Sequence, residues 1–372
     1  MADFKVARDQ AILVRAEPLA ATVTSLLHST GMSAEDAALA ADVLVCADMR
    51  GVETHGVSNM LRVYLERLRE GSYNPHPNMR VVRETPATAT LDSDGGLGVV
   101  TAPRAMEIAI RKAKTVGVGM VTVGNGRHLG MSAYHAMLAL PHAMIGICTT
   151  AVGPYMVPTW GREPRLGTNP IAVAVPCGEE PDLVYDGATT AVAGNKIISA
   201  RRVGAAIPAG LIADAEGVPI MDAMPPPDGR TSLLPLGSTY AAGSHKGYGL
   251  ACVVEVLGSV LSGSQVGFLA GSGAANHFVA AMDVAAFADV DVFKKDMDEF
   301  VRGLKATPPA RGHDRVVVAG QLEWEMEQQR RADGIPLHPE VIRWFDSACD
   351  QAGIPHLERS GADVEIGAPA ST

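Results

Sequence analysis

Two prolines one residue apart, in Asn74-Pro75-His76-Pro77-Asn78, divide this chain into parts that cannot fold alike. Proline lacks the N–H that a helix or central strand needs, and it pushes the preceding residue away from helical backbone, so no regular element crosses the segment. Before it, apolar residues recur at helical spacing. Leu19, Val23, Leu26 and Leu27 share one face, and Gly31 closes that helix. Ser33 caps a second helix with Leu39, Val43 and Cys46 facing inward. Leu61, Tyr64, Leu65 and Leu68 form a third stripe, with Arg62 and Glu66 paired on its other side.

After the prolines the period changes. Short apolar runs at 87–91, 118–123, 145–148, 171–175, 183–185 and 276–284 read as strands. Helices are expected at 102–115, from Met131, and over 246–262 through Leu250, Val254, Leu257 and Leu261. Phe293, Met297, Phe300 and Leu304 make a further stripe, and helices return at 322–332 and 340–351, with Pro339 suited to a first turn. Residues 224–229 read as a loop and 365–372 as a frayed tail. The expectation is an α/β chain in three parts: N-terminal helices (1–78), an α/β core for cofactor and substrate (79–314), and C-terminal helices packing back on the N-terminal part (315–372).

Composition narrows the function classes. A net charge of -10 and the lack of any basic run argue against nucleic acid or an anionic membrane as partner. The five cysteines are odd in number and widely spaced without CxxC, as expected of reduced thiols rather than a disulfide framework or zinc site. No signal-peptide core opens the chain, and the most apolar stretch, 131–158, is broken by His135, Pro141, His142 and Pro154. A soluble, cytoplasmic protein is expected.

Four units carry chemistry. Arg50-Gly51-Val52-Glu53-Thr54-His55-Gly56 sets a hydroxyl and an imidazole on a connection between helices, where His55 can move a proton or merely bond a helix end. Gly124-Asn125-Gly126-Arg127-His128-Leu129-Gly130 follows a strand and opens a helix. Its glycine spacing is wrong for a dinucleotide turn, and no acid ends the next strand, so a Rossmann site is not expected. It does offer His128 as an acid or base near backbone amides. Gly167-Thr168-Asn169-Pro170 leads to a strand pair ending in Asp186-Gly187-Ala188-Thr189-Thr190, where Asp186 either orients a histidine or caps the helix carrying Val192 and Ile197. Ser244-His245-Lys246-Gly247-Tyr248-Gly249-Leu250 places Lys246 at a helix start, able to meet a phosphate or carboxylate.

Taken in order, these units resemble the signatures of the malate/L-lactate dehydrogenase family, which includes sulfolactate, ureidoglycolate, 2,3-diketogulonate and Δ1-piperideine-2-carboxylate oxidoreductases. The likeness runs from about Leu19 to Gly353. It implies a sulfolactate-dehydrogenase-like mixed-sheet core, non-Rossmann, with helices from both chain ends beside it, and a homodimer. It implies an NAD(P)-dependent oxidoreductase that passes hydride between nicotinamide and a small 2-hydroxy or 2-oxo acid. His55 or His128 would move the proton, with Thr54 and Asp186 as relay partners. Leu129, Gly130, Met131 and Ser132 would line the cofactor, with Val175, Pro176, Lys246 and Gly320 near it. Thr168 is placed on the substrate side.

Where many members have an arginine that grips the substrate carboxylate, this chain has Asn59, which makes Arg127, and in competition Arg62, candidates for that grip. Met131-Ser132-Ala133 and Ala319-Gly320-Gln321 also depart from the usual Ala-Ala-Gly and Pro-Gly-Glu. Glu179 and Glu180 follow a strand where the adenosine half would lie. Carboxylates there repel a 2′-phosphate, so NAD is expected over NADP. A cyclic imino acid would use the same machinery. The alternatives of another class are a metal-assisted hydrolase built on His55, His128 and Asp186, which has no HExxH or His-x-His spacing behind it, and a non-catalytic binding protein. No metal is expected.

Overall fold

The computed structural model describes residues 4–7, 9–229, 231–270 and 273–359, so the tail expected to fray lies outside the described residues. Three helices open the chain after a short strand: β1 (Ile12–Val14), α1 (Ala16–His28), α2 (Ala34–Met49) and α3 (Val57–Arg69). Ser33 caps α2 by accepting the Asp36 N–H at 3.1 Å. Leu19, Val23, Leu26 and Leu27 are buried, as their spacing requires. α2 does not present the single inward face its pattern implies: Ala37, Ala40, Ala41, Val43, Leu44 and Val45 are all buried while Leu39 and Cys46 are only half-buried. Alanines let neighbours approach from several sides at once, so α2 is wedged between two cores.

A seven-stranded sheet follows the proline segment. Its strands are β2 (Arg80–Glu84), β3 (Thr88–Asp92), β4 (Val118–Gly126), β5 (Met144–Val152), β6 (Ile171–Val175), β7 (Leu183–Gly187) and β10 (Ala275–Asp283), in the order β2-β3-β4-β10-β5-β6-β7. β3 and β4 are parallel and every other pair is antiparallel, so the sheet is mixed. The late strand β10 inserts between β4 and β5, which no local pattern announces. α4 (Gly98–Val116) and α5 (Ser132–Met137) pack their alanines against Val121, Val123, Cys148, Val279 and Ala281. Ala47 and the half-buried Cys46 of α2 join this cluster, while Ala37, Ala40, Ala41, Val43, Leu44, Val45 and Met49 pack with α1, α3 and the C-terminal elements.

A smaller unit holds α6 (Gly194–Arg202) and the pair β8 (Ile212–Ala213) and β9 (Ser232–Leu233) around Ile197, Ile207 and Ile212. α7 (Ser244–Glu255) continues into a π-helical turn, Val256–Val260, and is followed by α8 (Gly267–Ala270). The expected inward stripe of this helix is only partly inside. Val254 is buried, but Leu250 and Leu261 are exposed, and the polar Glu255 and Ser259 face the protein. Glu255 is held there by Asn169 at 3.1 Å, Ser259 at 2.9 Å and the Gly267 N–H at 2.7 Å.

α9 (Val290–Lys305) also departs from its stripe: Phe300 and Leu304 are exposed, and Asp298 and Val301 are buried. The Asp298 carboxylate collects the backbone N–H groups of Gly178, Glu179 and Glu180, which fixes that face inward. The chain ends with α10 (Gln321–Asp333), β11 (Ile335–Leu337) and α11 (Pro339–Ala352). β11 pairs antiparallel with β1, and Val341, Ile342 and Phe345 enter the same core as α1 and α3. Helices from both chain ends thus pack together beside a mixed sheet. Among the described residues no helix is long and apolar enough to cross a membrane, and all five cysteines are free.

Candidate active site

Because α2 touches both cores, the connection after it lands against the turn that leaves β4. That connection is held at its ends by Asp48. The Asp48 carboxylate accepts the Val57 N–H at 2.7 Å, at the start of α3. A Cβ on Gly56 would fall 2.0 Å from Asp48 Oδ1, so only glycine lets the loop close over the carboxylate. Inside it, Thr54 Oγ1 and His55 Nδ1 lie 2.9 Å apart, and Asn195 of α6 donates to the Thr54 carbonyl at 2.7 Å.

His128 enters from the sheet side. Its Nδ1 receives the Tyr64 hydroxyl at 2.6 Å and the Gly130 N–H at 3.2 Å. An amide N–H can only donate, so Nδ1 is the acceptor and the network assigns the ring proton to Nε2. Gly130 sits at φ +75, a left-handed conformation that brings its N–H back onto the ring. Behind the turn, His135 Nε2 meets the Leu129 carbonyl at 2.7 Å, and His277 Nδ1 meets Thr150 Oγ1 at 2.8 Å.

The two sequence-predicted histidines come together. Their rings stack with centroids 5.6 Å apart and planes 6° from parallel. Burial pushes His55 down to about 4, and burial with the neighbouring His55, His277 and His135 pushes His128 down to about 3. Both are therefore neutral imidazoles near pH 7. Burial and Tyr73 raise Tyr64 well above its ordinary value, so it keeps its proton as a donor to His128.

Asp186, at the end of β7, makes neither of the direct contacts expected of it. Its Oδ2 accepts the Ala133 N–H at 2.7 Å in the first turn of α5, a different helix from the expected one. Among the described residues it makes no hydrogen bond to His55 or His128. The residue as a whole keeps contact with solvent while its carboxyl is surrounded by protein atoms. Desolvation there raises it to about 7 despite the Ala133 N–H, with Glu323 adding to the rise and Arg50 opposing it. Among the described residues no three His, Cys, Asp or Glu side chains converge as metal ligands would. His55, His128 and Asp186 are thus not the ligand set a metal-assisted hydrolase requires.

The arginines divide. Arg62, two positions before Tyr64, lies on the opposite side of α3. It pairs with Glu340 at 2.8 Å and sits over the Trp344 ring at 5.1 Å. Arg127 donates to the Ser72 and Gly126 carbonyls at 3.2 and 2.8 Å and lines a cavity of about 450 Å³ with Tyr73, Asn125 and Asn276. Asn59 donates to the Glu53 carbonyl at 2.7 Å, leaving its buried Oδ1 without a partner among the described residues. The Thr168 carbonyl accepts from the Thr189 backbone and hydroxyl, which makes Thr168 part of a strand connection.

Leu129, Gly130, Met131 and Ser132 are buried around the turn, and the Ser132 hydroxyl has no partner among the described residues. Pro176 and Val184 border a second cavity of about 440 Å³, closed by Met137, Leu140, Asp182 and Trp324. Val175 ends β6 immediately before Pro176. Gly320, at φ +85, packs against Val184 and starts α10, whereas Lys246 is exposed at the start of α7.

This arrangement matches known proteins over nearly the whole chain. A profile of the malate/L-lactate dehydrogenase family matches residues 14–345. The chain belongs to the malate/L-lactate dehydrogenase family. It is 36% identical over 340 residues to an L-sulfolactate dehydrogenase of Methanocaldococcus jannaschii, covering 89% of this chain and 95% of the relative. It is 35% identical to a malate dehydrogenase of Pyrococcus horikoshii over 353 residues, 93% of this chain and 97% of the relative. The crystal structure of a malate dehydrogenase from Entamoeba histolytica superposes with a TM-score of 0.88 at 34% identity, covering 93% of this chain and 99% of that one. As a member of this family the protein is an NAD(P)-dependent dehydrogenase acting on the hydroxyl group of a 2-hydroxy acid.

Sequence reasoning missed Tyr64, His135, His277 and Asp48. Tyr64 was legible only as one member of an apolar stripe. A tyrosine fully buried on such a stripe still needs a partner for its hydroxyl, and that requirement was the available signal.

Proposed function

We propose that His128 is the residue that exchanges the substrate's hydroxyl proton, with the stacked His55 and Thr54 as its partners. The observation that carries this reading is the anchoring of both Nδ1 atoms, His128 by Tyr64 and Gly130 and His55 by Thr54. That leaves both Nε2 atoms free to meet one small substrate between them and the cofactor. His128 takes up a proton when the anionic substrate binds and, as the imidazolium, gives its Nε2 proton to the oxygen of a 2-oxo acid as that oxygen gains negative charge, returning to a neutral ring. In the reverse direction a neutral ring accepts that proton, becomes the imidazolium and releases a proton to solvent. Asp186 acts more remotely, by fixing the start of α5 through Ala133.

The residues present fit a nicotinamide dinucleotide. The Ser132 hydroxyl, four residues after His128 and without a partner among the described residues, and the cavity walled by Pro176, Val184 and Trp324 would supply a polar contact and a slot. Leu129, Gly130, Met131, Ser132, Val175, Pro176 and Gly320 would hold it, and Lys246 would reach its phosphates. When bound, the dinucleotide supplies the hydride acceptor or donor. NAD is the cofactor in this reading, with NADP the alternative. Glu179 and Glu180 are not free carboxylates, since Arg302 bonds both and Lys305 bonds Glu180 at 2.7 Å. The preference therefore rests on the cavity, where Glu180 and Asp182 are lining groups and Arg50 is committed to Glu327 at 3.0 Å.

Arg127 holds the substrate carboxylate, because Arg62 points away from the histidines. The exposed apolar residues Leu250, Val253, Val256, Val260, Phe268 and Leu269 support a homodimer, since a patch of that kind on a soluble enzyme marks an interface. The protein works in the cytoplasm in this reading. Individual His55→Ala and His128→Ala variants, assayed with pyruvate, oxaloacetate and cyclic imino acids against NADH and NADPH, test the assignment. A loss of roughly a hundredfold in kcat is expected for His128→Ala. Near-normal turnover by that variant would remove His128 from proton transfer.

A further inference from the structure

We propose that Arg330 is a positioning residue for His55, acting from the end of α10 through the Asp48 carbonyl and the Glu53 carboxylate. The proposal rests on the reading that His55 takes part in proton transfer. The loop that carries His55 begins at Gly51, in left-handed backbone at φ +72, and ends at Gly56; its own backbone braces it by the Val52 N–H to the Ala47 carbonyl at 2.8 Å and the His55 N–H to the Val52 carbonyl at 3.0 Å. Yet His55 must lie within a few degrees of parallel to His128. Those bonds shape the turn, and contacts from outside the loop set where the turn sits against His128.

Arg330 does so from a side chain that is only 3% exposed. One guanidinium nitrogen donates to the Asp48 carbonyl at the end of α2, and the other to the Glu53 carboxylate two residues before His55. Asp48 also takes the Val57 N–H with its carboxylate, so the two ends of the loop and the cation from α10 meet on one residue. The Glu53 carbonyl is held by Asn59 and the Thr54 carbonyl by Asn195. Of these four anchors, Arg330 alone reaches the loop from the C-terminal helices.

The chemistry calls for arginine. Two acceptors of different kind, a carbonyl and a carboxylate, lie on separate loop residues, and a planar fork spans them where a single ammonium cannot. A buried cation also needs a counter-charge, which Glu53 supplies. The structural consequence is that α10 carries two parts of the enzyme at once. Its first turn packs Gly320 against Val184 beside the proposed cofactor cavity, and its last turn sets the His55 loop.

The test is a double-mutant cycle in the full-length protein: Arg330→Met, His55→Gln and the pair, with kcat and KM measured using NADH and oxaloacetate or pyruvate. Arg330→Met is expected to lower kcat by about tenfold to a hundredfold, the scale of a misplaced catalytic group, and to leave KM for NADH within about twofold. On the His55→Gln background the same substitution should change kcat by less than about twofold. Arg330→Lys keeps the charge and covers the case in which Arg330→Met does not fold; it too should lose kcat, less than additively with His55→Gln. Equal losses on both backgrounds, or no loss in either Arg330 variant, overturns the positioning role while leaving His55 in place. Full turnover by His55→Gln overturns the underlying reading instead, whatever Arg330 does.

Discussion

Replacing Tyr64 with phenylalanine isolates one hydrogen bond at the centre of the site. The ring is fully buried, so phenylalanine fills the same space and removes only the hydroxyl that lies 2.6 Å from His128 Nδ1. Nδ1 is not orphaned, because the Gly130 N–H remains at 3.2 Å. The loss is therefore that of a neutral hydrogen bond, about 0.5–1.5 kcal/mol, without the added penalty of a stranded buried acceptor. Since about 1.36 kcal/mol is a factor of ten in rate, kcat should fall about twofold to thirteenfold if the whole bond serves to hold the imidazole. KM for the nucleotide should not move, and thermal stability should drop only slightly. Steady-state kinetics of the purified variant with NADH and its best 2-oxo acid, beside a melting curve, read all three quantities. Unchanged kcat would refute the argument that this bond holds the His128 ring for proton transfer. A loss as large as that of His128→Ala would refute it differently, by making the phenol the proton carrier.

Two further outcomes are expected. Burial holds His135 at about 4 and His277 at about 3. The unfolded chain therefore binds protons first, and stability is lost as pH falls from about 6.5 towards 4, each fully buried ring contributing up to about 1.4 kcal/mol per pH unit. Urea unfolding at several pH values should show this slope, and His135→Gln should flatten it; an unaltered slope would remove His135 from the acid response. Arg127→Met should raise KM for the 2-oxo acid by roughly tenfold to a hundredfold with little change for NADH. An unchanged KM for the acid would assign its carboxylate to backbone amides and Lys246.

Much of the site was legible because its groups sit on local signals. His55 and His128 each lie in a glycine-flanked connection beside a helix end, and the motif order carried the family. What the sequence hid depends on partners far along the chain. Asp186 looked like a relay or a local cap because its neighbours in sequence are hydroxyls, but its hydrogen bond goes to Ala133, 53 residues away. The stripe on α9 pointed the wrong way because Asp298 is drawn inward by three backbone N–H groups of the 178–180 turn. Glu255 reversed part of α7 in the same manner. In each case a buried carboxylate with several donors outweighed the apolar periodicity, since leaving those donors unpaired costs more than exposing a leucine or phenylalanine. The strands β1 and β11 escaped notice for another reason: three residues show no usable alternation.

The central claim is that this protein moves hydride between the C2 carbon of a 2-hydroxy acid and nicotinamide while a histidine moves the oxygen-bound proton. The direct measurement is oxidation of C2-deuterated malate or lactate with NAD, followed by mass spectrometry of the reduced nucleotide. Deuterium in the nicotinamide ring, with a primary isotope effect that persists in Tyr64→Phe, is the expected result. Turnover that releases the C2 deuterium to solvent and leaves the nucleotide unlabelled would contradict the account.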